Sequence, residues 1–454
     1  MRWRTPARKR RRKNRDEPRA RFRLDRDGFS GFLCGIIGSA WLQIFRLGIV
    51  LAIAWLIRDG HLRHRVQGGA PITAAEARVF LPETHRLAPD PGPRAGLRIF
   101  DRSGREIGYA VRTMPQSRAV TGYSGPLDAL IVLDAEDRVK GVAIRHSYDT
   151  PSHVRDVAKD YLFMEIWNGR TWEEVAAIDD LAAAGIYGVS GATRTSECLA
   201  HSIGVRFRGV SGGVAAPFRW GWRDTVLAFF ALGGCAFAFA KDARLQRLRP
   251  WFSLACFLGL GLWLGDLLAL SLLAGWAESG TPWRQTPGLV LMAAAAFLVP
   301  WATRQPVYCQ HLCPHGHAQR WLMKLTPARW MARFDDRAKP WPRLIPFWLL
   351  FLALAGVLLR LPLDLAGFEP FDAYLIRSAG AATLAVAAAG LLLSAFVPMG
   401  YCKYGCPTGL LLDFARRRTR DRLGRRDLAA LGMLAAAFCL HRFHDSIHAW
   451  MVSP

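Results

Sequence analysis

Two groups of residues in this chain have types and spacings that can do chemistry. The first is Val189-Ser190-Gly191-Ala192-Thr193-Arg194-Thr195-Ser196-Glu197. Gly191 and Ala192 leave the backbone open to approach by a bulky phosphate. A short hydroxyl side chain such as Thr193, carried on a loop, is accessible to modification in a way a core threonine is not. The second group is a matched pair of runs, Cys309-Gln310-His311-Leu312-Cys313-Pro314 and Cys402-Lys403-Tyr404-Gly405-Cys406-Pro407. Cysteines at i and i+4 share a helical face, and a proline after the second favours a turn or a helix start. Together the two runs supply four thiolates, the count an iron–sulfur cluster needs. A redox-active thiol set, or a metal site that includes His311, His315 or His317, fits the same residues.

These groups need elements to hold them. Upstream of Thr193, the apolar run Ala129–Leu133, the polar turn Asp134–Asp137 and the β-rich run Val139–Ile144 read as a hairpin. A helix is expected over His153–Asn168. Strands and helices in blocks predict an α+β domain. Elsewhere apolar runs dominate a chain of 454 residues that is 51% hydrophobic and carries a net charge of +24. About twenty apolar residues cross a bilayer as a helix. The candidate spans are Trp41–Ile57, Thr225–Ala240, Trp251–Leu273, Gly288–Thr303, Leu344–Leu359 and Ala381–Pro398, with a shorter seventh at Leu428–Leu440. The first has a basic flank and no small-residue cleavage site, so it reads as an uncleaved anchor. Alternating spans place the basic segments 2–26, 241–249, 304–343 and 403–426 on one side, which is the cytoplasmic side. Both cysteine runs fall at that face, and residues 58–221 fall outside it. The run Arg8–Lys13 reads as a lipid-facing tail, and no nucleic-acid partner is expected.

Ser190-Gly191-Ala192-Thr193 followed by Arg194-Thr195-Ser196 resembles the covalent flavin-attachment motif of the FMN-binding domain. That domain occurs in the C and G subunits of the Nqr and Rnf redox pumps and in the NosR/NirI membrane proteins. The order Gly122-Tyr123-Ser124-Gly125-Pro126, hairpin, Asp149-Thr150-Pro151, helix, Ser-Gly-Ala-Thr is similar to that domain across residues 95–210. The resemblance implies FMN joined to Thr193 through a phosphoester set by a flavin transferase. It also implies that Ser190, Gly191, Ala192, Thr195, Ser196, Thr150, Pro151 and Tyr123 surround the flavin. Tyr187 stands where the transferase pattern has an acidic residue. The two CxxxCP runs, with Gly316-His317-Ala318-Gln319 and Thr408-Gly409-Leu410 after them, resemble the membrane part of NosR/NirI and NapH proteins over residues 220–420. Cys309, Cys313, Cys402 and Cys406 are the implied metal ligands. Relatives of this type usually continue into a ferredoxin domain. No such run follows here, so either a separate protein supplies those clusters or the short form has another role.

The expected architecture is an α+β exported FMN-binding domain fused to an all-α polytopic membrane bundle of about six or seven transmembrane helices. The divisions are a basic cytoplasmic tail (1–28), an anchor helix (29–58), a periplasmic FMN-binding domain (59–221), the polytopic domain (222–442) and a C-terminal tail (443–454). His441, His444 and His448 lie at helical spacing and read as interfacial residues or metal or haem ligands. The expected function is electron transfer at the inner membrane, between a quinol or ferredoxin-like donor and a periplasmic metalloenzyme such as nitrous-oxide reductase. A redox-sensing or assembly factor is the alternative. A transporter is a third reading, for which Arg46 and Asp266 are the candidate mid-span ionisable residues.

Overall fold

The computed structural model describes residues 26–64, 71–209, 218–327, 341–361, 363–375, 379–418 and 422–452. The first half is built on one sheet. Strands β1 (Arg86–Pro89), β2 (Leu97–Phe100), β3 (Glu106–Arg112), β4 (Leu127–Asp134) and β5 (Val139–Ser147) pair in chain order, each antiparallel to the next. The expected hairpin is β4–β5. Asp137 at its turn has φ of 62°, and the Asp134 carboxylate accepts from the backbone N–H groups of Glu136 and Arg138. β4 is buried on both faces, because successive side chains point to opposite sides of a strand. Ala129, Ile131 and Leu133 join one core, while Leu130 and Val132 join another. Each of these leucine, isoleucine and valine side chains contributes roughly 1.5–3 kcal/mol by leaving water, and Ala129 less.

The helices of this half are short. α1 (Arg26–His64) leads into it, and α2 (Ala74–Arg78) starts at a Thr73/Glu76 capping box. The helix expected over His153–Asn168 is broken into α3 (Pro151–Lys159), α4 (Tyr161–Met164) and the 3-10 turn Glu165–Trp167. Asp160 breaks it. This residue leaves helical geometry at ψ 88°, and its carboxylate caps the next helix by accepting from Phe163 N. α5 (Trp172–Ala176) has a second capping box, and the longer α6 (Thr193–Phe207) lays Leu199 and Ile203 against the sheet.

His201 lies half-buried on α6. Burial, then the nearby Arg219 and Arg208, push its pKa down to about 4 from an ordinary 6.5. The unfolded chain therefore takes up a proton near pH 6.5 that the folded domain refuses. Stability is full above that pH and is lost as pH falls toward 4. The unfolding midpoint should drop across this window, and His201→Gln should flatten the slope. Equal slopes in the two proteins would refute this.

The second half is helical: α7 (Trp222–Phe239), α8 (Ala243–Cys256), α9 (Leu270–Ser279), α10 (Pro287–Thr303), α11 (Pro314–Leu325), α12 (Ile345–Leu358), α13 (Ala381–Phe396), α14 (Gly400–Tyr404), α15 (Pro407–Ala415), α16 (Arg425–Arg442) and α17 (His444–Val452). Two described helices, Trp41–Arg63 and Trp222–Phe239, are long and apolar enough to cross a membrane. Shorter apolar helices cover Pro287–Thr303, Pro342–Leu358 and Ala381–Phe396. Arg46 of α1 and Asp427 of α16 form a fully buried ion pair at 2.7 Å. The expected span Trp251–Leu273 is not one helix. α8 passes into a π-helical stretch, Phe257–Leu264, that stops at Gly265 with φ of 71°. Residues 265–269 are irregular before α9 begins. Their backbone groups are met from outside. Tyr123 Oη donates to Leu267 O, and Leu268 N donates to Tyr308 Oη. A buried backbone polar group needs a partner, and here side chains of both halves supply it.

Candidate functional site

The loop before α6 is held by close packing. Gly191 has φ of 86°, which favours glycine. Gly188, which lies just ahead of the motif, also has to lack a side chain, because a Cβ there would stand 2.7 Å from Thr193 Cγ2. Ser196 Oγ accepts from Val189 N (2.9 Å) and lies 3.1 Å from Ala192 O, clasping the loop to the helix it precedes. Thr193 is the first residue of α6 and half-buried; its hydroxyl donates to Val189 O at 3.3 Å. Free N–H groups at a helix N-terminus favour phosphate.

Asp149 organises this region, although the sequence reading gave it no role of its own. It is 4% exposed. One carboxylate oxygen accepts from Ser124 N and the other from the Thr195 hydroxyl, both at 2.7 Å. It thus ties the Gly122–Ser124 turn to the first turn of α6. Gly122 is required here, since a Cβ would meet this carboxylate at 2.2 Å. Asp149→Ala strands two buried donors, at about 1–3 kcal/mol each. The variant should lose FMN loading although Thr193 is intact. Full loading in Asp149→Ala would show the hub to be dispensable.

A cavity of about 410 Å³ opens beside Thr193. Ser190, Gly191, Ala192, Thr195, Tyr123 and His153 line it from the sheet domain. Arg223, Leu262–Asp266, Tyr374 and Leu375 close it from the helical half. Its size is that of a small-molecule pocket, and Tyr123, Trp263 and Tyr374 are the aromatic residues of its lining. His153 is buried, and its Nε2 has no hydrogen-bond partner among the described residues. A buried polar atom left unpaired beside a helix N-terminus fits a polar ligand such as FMN. The Arg194 guanidinium holds Asp266 at 2.5 and 2.8 Å, which locks α6 to the irregular 265–269 stretch. Ser196 lies behind the cavity wall. Thr150 and Pro151 start α3 and border a separate cavity of about 700 Å³, so they do not line the space beside Thr193. Tyr187 is 71% exposed, away from this packing.

The two cysteine runs fold alike. Each follows an apolar helix, α10 or α13, and each ends in a cysteine that caps the next helix. Cys313 Sγ accepts from Gly316 N (3.4 Å) at the start of α11; Cys406 Sγ accepts from Gly409 N (3.1 Å) at the start of α15. Gln319 Nε2 donates to Cys402 Sγ at 3.1 Å. Cys309, Cys313, Cys402 and Cys406 are all free thiols, and each lies within electrostatic reach of the other three. N–H donors and helix N-termini stabilise thiolates, so the donor set fits an iron–sulfur cluster. Among the described residues no three His, Cys, Asp or Glu side chains are gathered as one metal ion requires. Of the nearby histidines, His317 Nε2 contacts the backbone His311 O at 3.0 Å and His315 Nδ1 contacts Tyr374 Oη at 2.8 Å, while His315 Nε2 is buried with no partner among the described residues. His441 pairs with Asp59, and His444 bonds Leu358 O. The side chain of His448 lies outside the described residues.

Comparison with known families agrees with this division. Residues 122–203 match the FMN-binding domain, and residues 285–333 and 379–426 match a 4Fe-4S binding domain. No curated protein and no solved structure matches the chain. The chain is therefore a redox protein whose cofactors are FMN and an iron–sulfur cluster, each matched to its own half. FMN takes up electrons in pairs and releases them singly, while an iron–sulfur cluster carries one at a time.

Proposed function

We propose that this chain is a NosR/NirI-type membrane flavoprotein that moves electrons between its flavin and its four-cysteine site. The observation that carries the reading is the position of the Thr193 cavity. It lies at the seam, and the helical half that holds the cysteines forms one of its walls. In this reading Thr193 carries FMN covalently, with Ser190, Gly191, Ala192, Thr195 and Tyr123 around it, Ser196 clasping the loop, and Thr150 and Pro151 supporting it from α3. Cys309, Cys313, Cys402 and Cys406 hold the cluster. Asp266 and Arg46 serve packing rather than transport, each being held in an ion pair, Asp266 with the partly buried Arg194 and Arg46 with the buried Asp427.

The membrane domain crosses the inner membrane about six or seven times, with the N-terminus cytoplasmic and the FMN domain periplasmic. The two long apolar helices support this placement, as does the burial of irregular backbone 265–269 inside protein. A quinol or a ferredoxin-like protein donates, and a periplasmic metalloenzyme such as nitrous-oxide reductase accepts. A flavin transferase matures the chain. The test is flavin fluorescence of the denatured purified chain in a gel, with a mass shift on the peptide holding Thr193, together with iron and acid-labile sulfide analysis. A colourless, iron-free chain from cells with working flavinylation and cluster assembly would refute the proposal.

A further inference from the structure

Residues 363–375, which follow α12, make their main contacts far from their chain neighbours. Glu369 is 1% exposed and accepts from Leu270 N (2.5 Å) and Thr408 N (3.1 Å). One carboxylate thus holds the start of α9 and the N-terminus of α15, two residues beyond Cys406. Asp372 faces His153 of the sheet domain. Tyr374 forms part of the Thr193 cavity wall, and its hydroxyl lies 2.8 Å from His315 Nδ1. His315 is buried two residues after Cys313. It meets Tyr401 edge-on, with 4.9 Å between ring centroids, and Tyr401 directly precedes Cys402. Gly261 lets the π-helical stretch close over this line, since a Cβ there would stand only 3.1 Å from Pro314 Cβ. Tyr374, His315 and Tyr401 therefore form a packed route from the flavin cavity to both cysteine runs.

We propose that Tyr374 and His315 are the bridge that couples the flavin cavity to the four-cysteine site, with the Tyr374 hydroxyl positioning the imidazole. Electron tunnelling decays steeply with distance and is carried better by packed, bonded atoms than across gaps. Single electrons leave the reduced flavin and arrive at the oxidised cluster; the bridge residues gain and lose nothing, and no bond forms or breaks. This proposal rests on the reading that both cofactors are held.

The experiment uses the full chain, loaded with flavin and iron, in detergent. The flavin is photoreduced by a laser flash in the presence of a tertiary-amine donor, and the cluster absorbance is followed in time. Tyr374→Leu should slow arrival at the cluster roughly tenfold or more, since displacement of the bridge disrupts the aligned contact. Tyr374→Phe keeps the ring and drops the hydrogen bond, and should fall between Tyr374→Leu and the wild type. The covalent attachment at Thr193 and the four thiols are untouched, so flavin and iron content should be unchanged in the two variants, and both reduction potentials are measured in each so that the rates are compared at equal driving force. A second readout needs no cluster: in a Cys406→Ser background, Tyr374→Phe replaces an oxidisable phenol at the cavity wall with a phenyl ring that donates electrons far less readily, and should brighten flavin fluorescence. Loaded variants that transfer at the wild-type rate, or unchanged fluorescence, would overturn the bridge alone. A wild-type chain lacking flavin or iron would instead overturn the functional reading beneath it.

Discussion

Thr193→Ala is expected to give a folded chain with no covalently bound flavin. The fluorescent band of the denatured wild type should vanish, together with the mass shift on the peptide that holds residue 193. Under the proposed electron-transfer reading, reduction of a periplasmic acceptor should vanish with it. The fold should survive, because the only described side-chain bond of Thr193 is a 3.3 Å contact with Val189 O, and a bond of that kind contributes about 1 kcal/mol or less. Thr193→Ser, which keeps a hydroxyl at the same place, should recover part of the loading. A persistent fluorescent band in Thr193→Ala would move the attachment elsewhere. Retained acceptor reduction without flavin would favour a sensing or assembly role over electron transfer.

Cys406→Ser has the second large expected effect. Serine is among the best N-cap residues, so its hydroxyl can take over the bond from Gly409 N and keep α15 in place. It replaces a thiolate with a poor iron ligand, however, and should strip most of the iron and sulfide. Cys313→Ser should do the same, because Cys313 holds the equivalent place at α11, and so should Cys309→Ser and Cys402→Ser. The losses should not add, since the four thiols act as one set. Flavin content should stay at the wild-type level in all four. Full iron retention in every single variant would mean that the thiols hold no cluster. Iron lost only from Cys309→Ser and Cys402→Ser would mean that the capping cysteines are structural.

Much of the local organisation was legible in the residue order. The β4–β5 hairpin followed from two apolar runs around a polar turn. The helix starts after Cys313 and Cys406 followed from the proline, whereas Thr193, expected on a loop, is the first residue of α6. The role of Asp149 was harder to see: it stands in the quoted Asp-Thr-Pro run, but its partners Ser124 and Thr195 lie 25 and 46 residues away. Gly188 could have been noticed as a glycine two residues ahead of the motif serine. The apolar composition of Trp251–Leu273 predicts one span. Gly265 and Asp266 interrupt it, and the signal was the charge itself, an aspartate inside an apolar run.

Residue types and spacing therefore pointed to which chemistry each half could carry: a short hydroxyl in an open-backbone run, and two thiol pairs repeated after apolar runs. They could not settle how far apart those chemistries lie. Alternating spans put the thiols at the face away from the flavin, whereas the folded chain joins the two sites through Tyr374 and His315, which are 59 residues apart. Periodicity and capping report only on neighbours within a few turns of chain. The separation of two cofactor sites is decided by contacts such as Arg194 with Asp266 and Glu369 with Thr408, which form only once distant segments have packed.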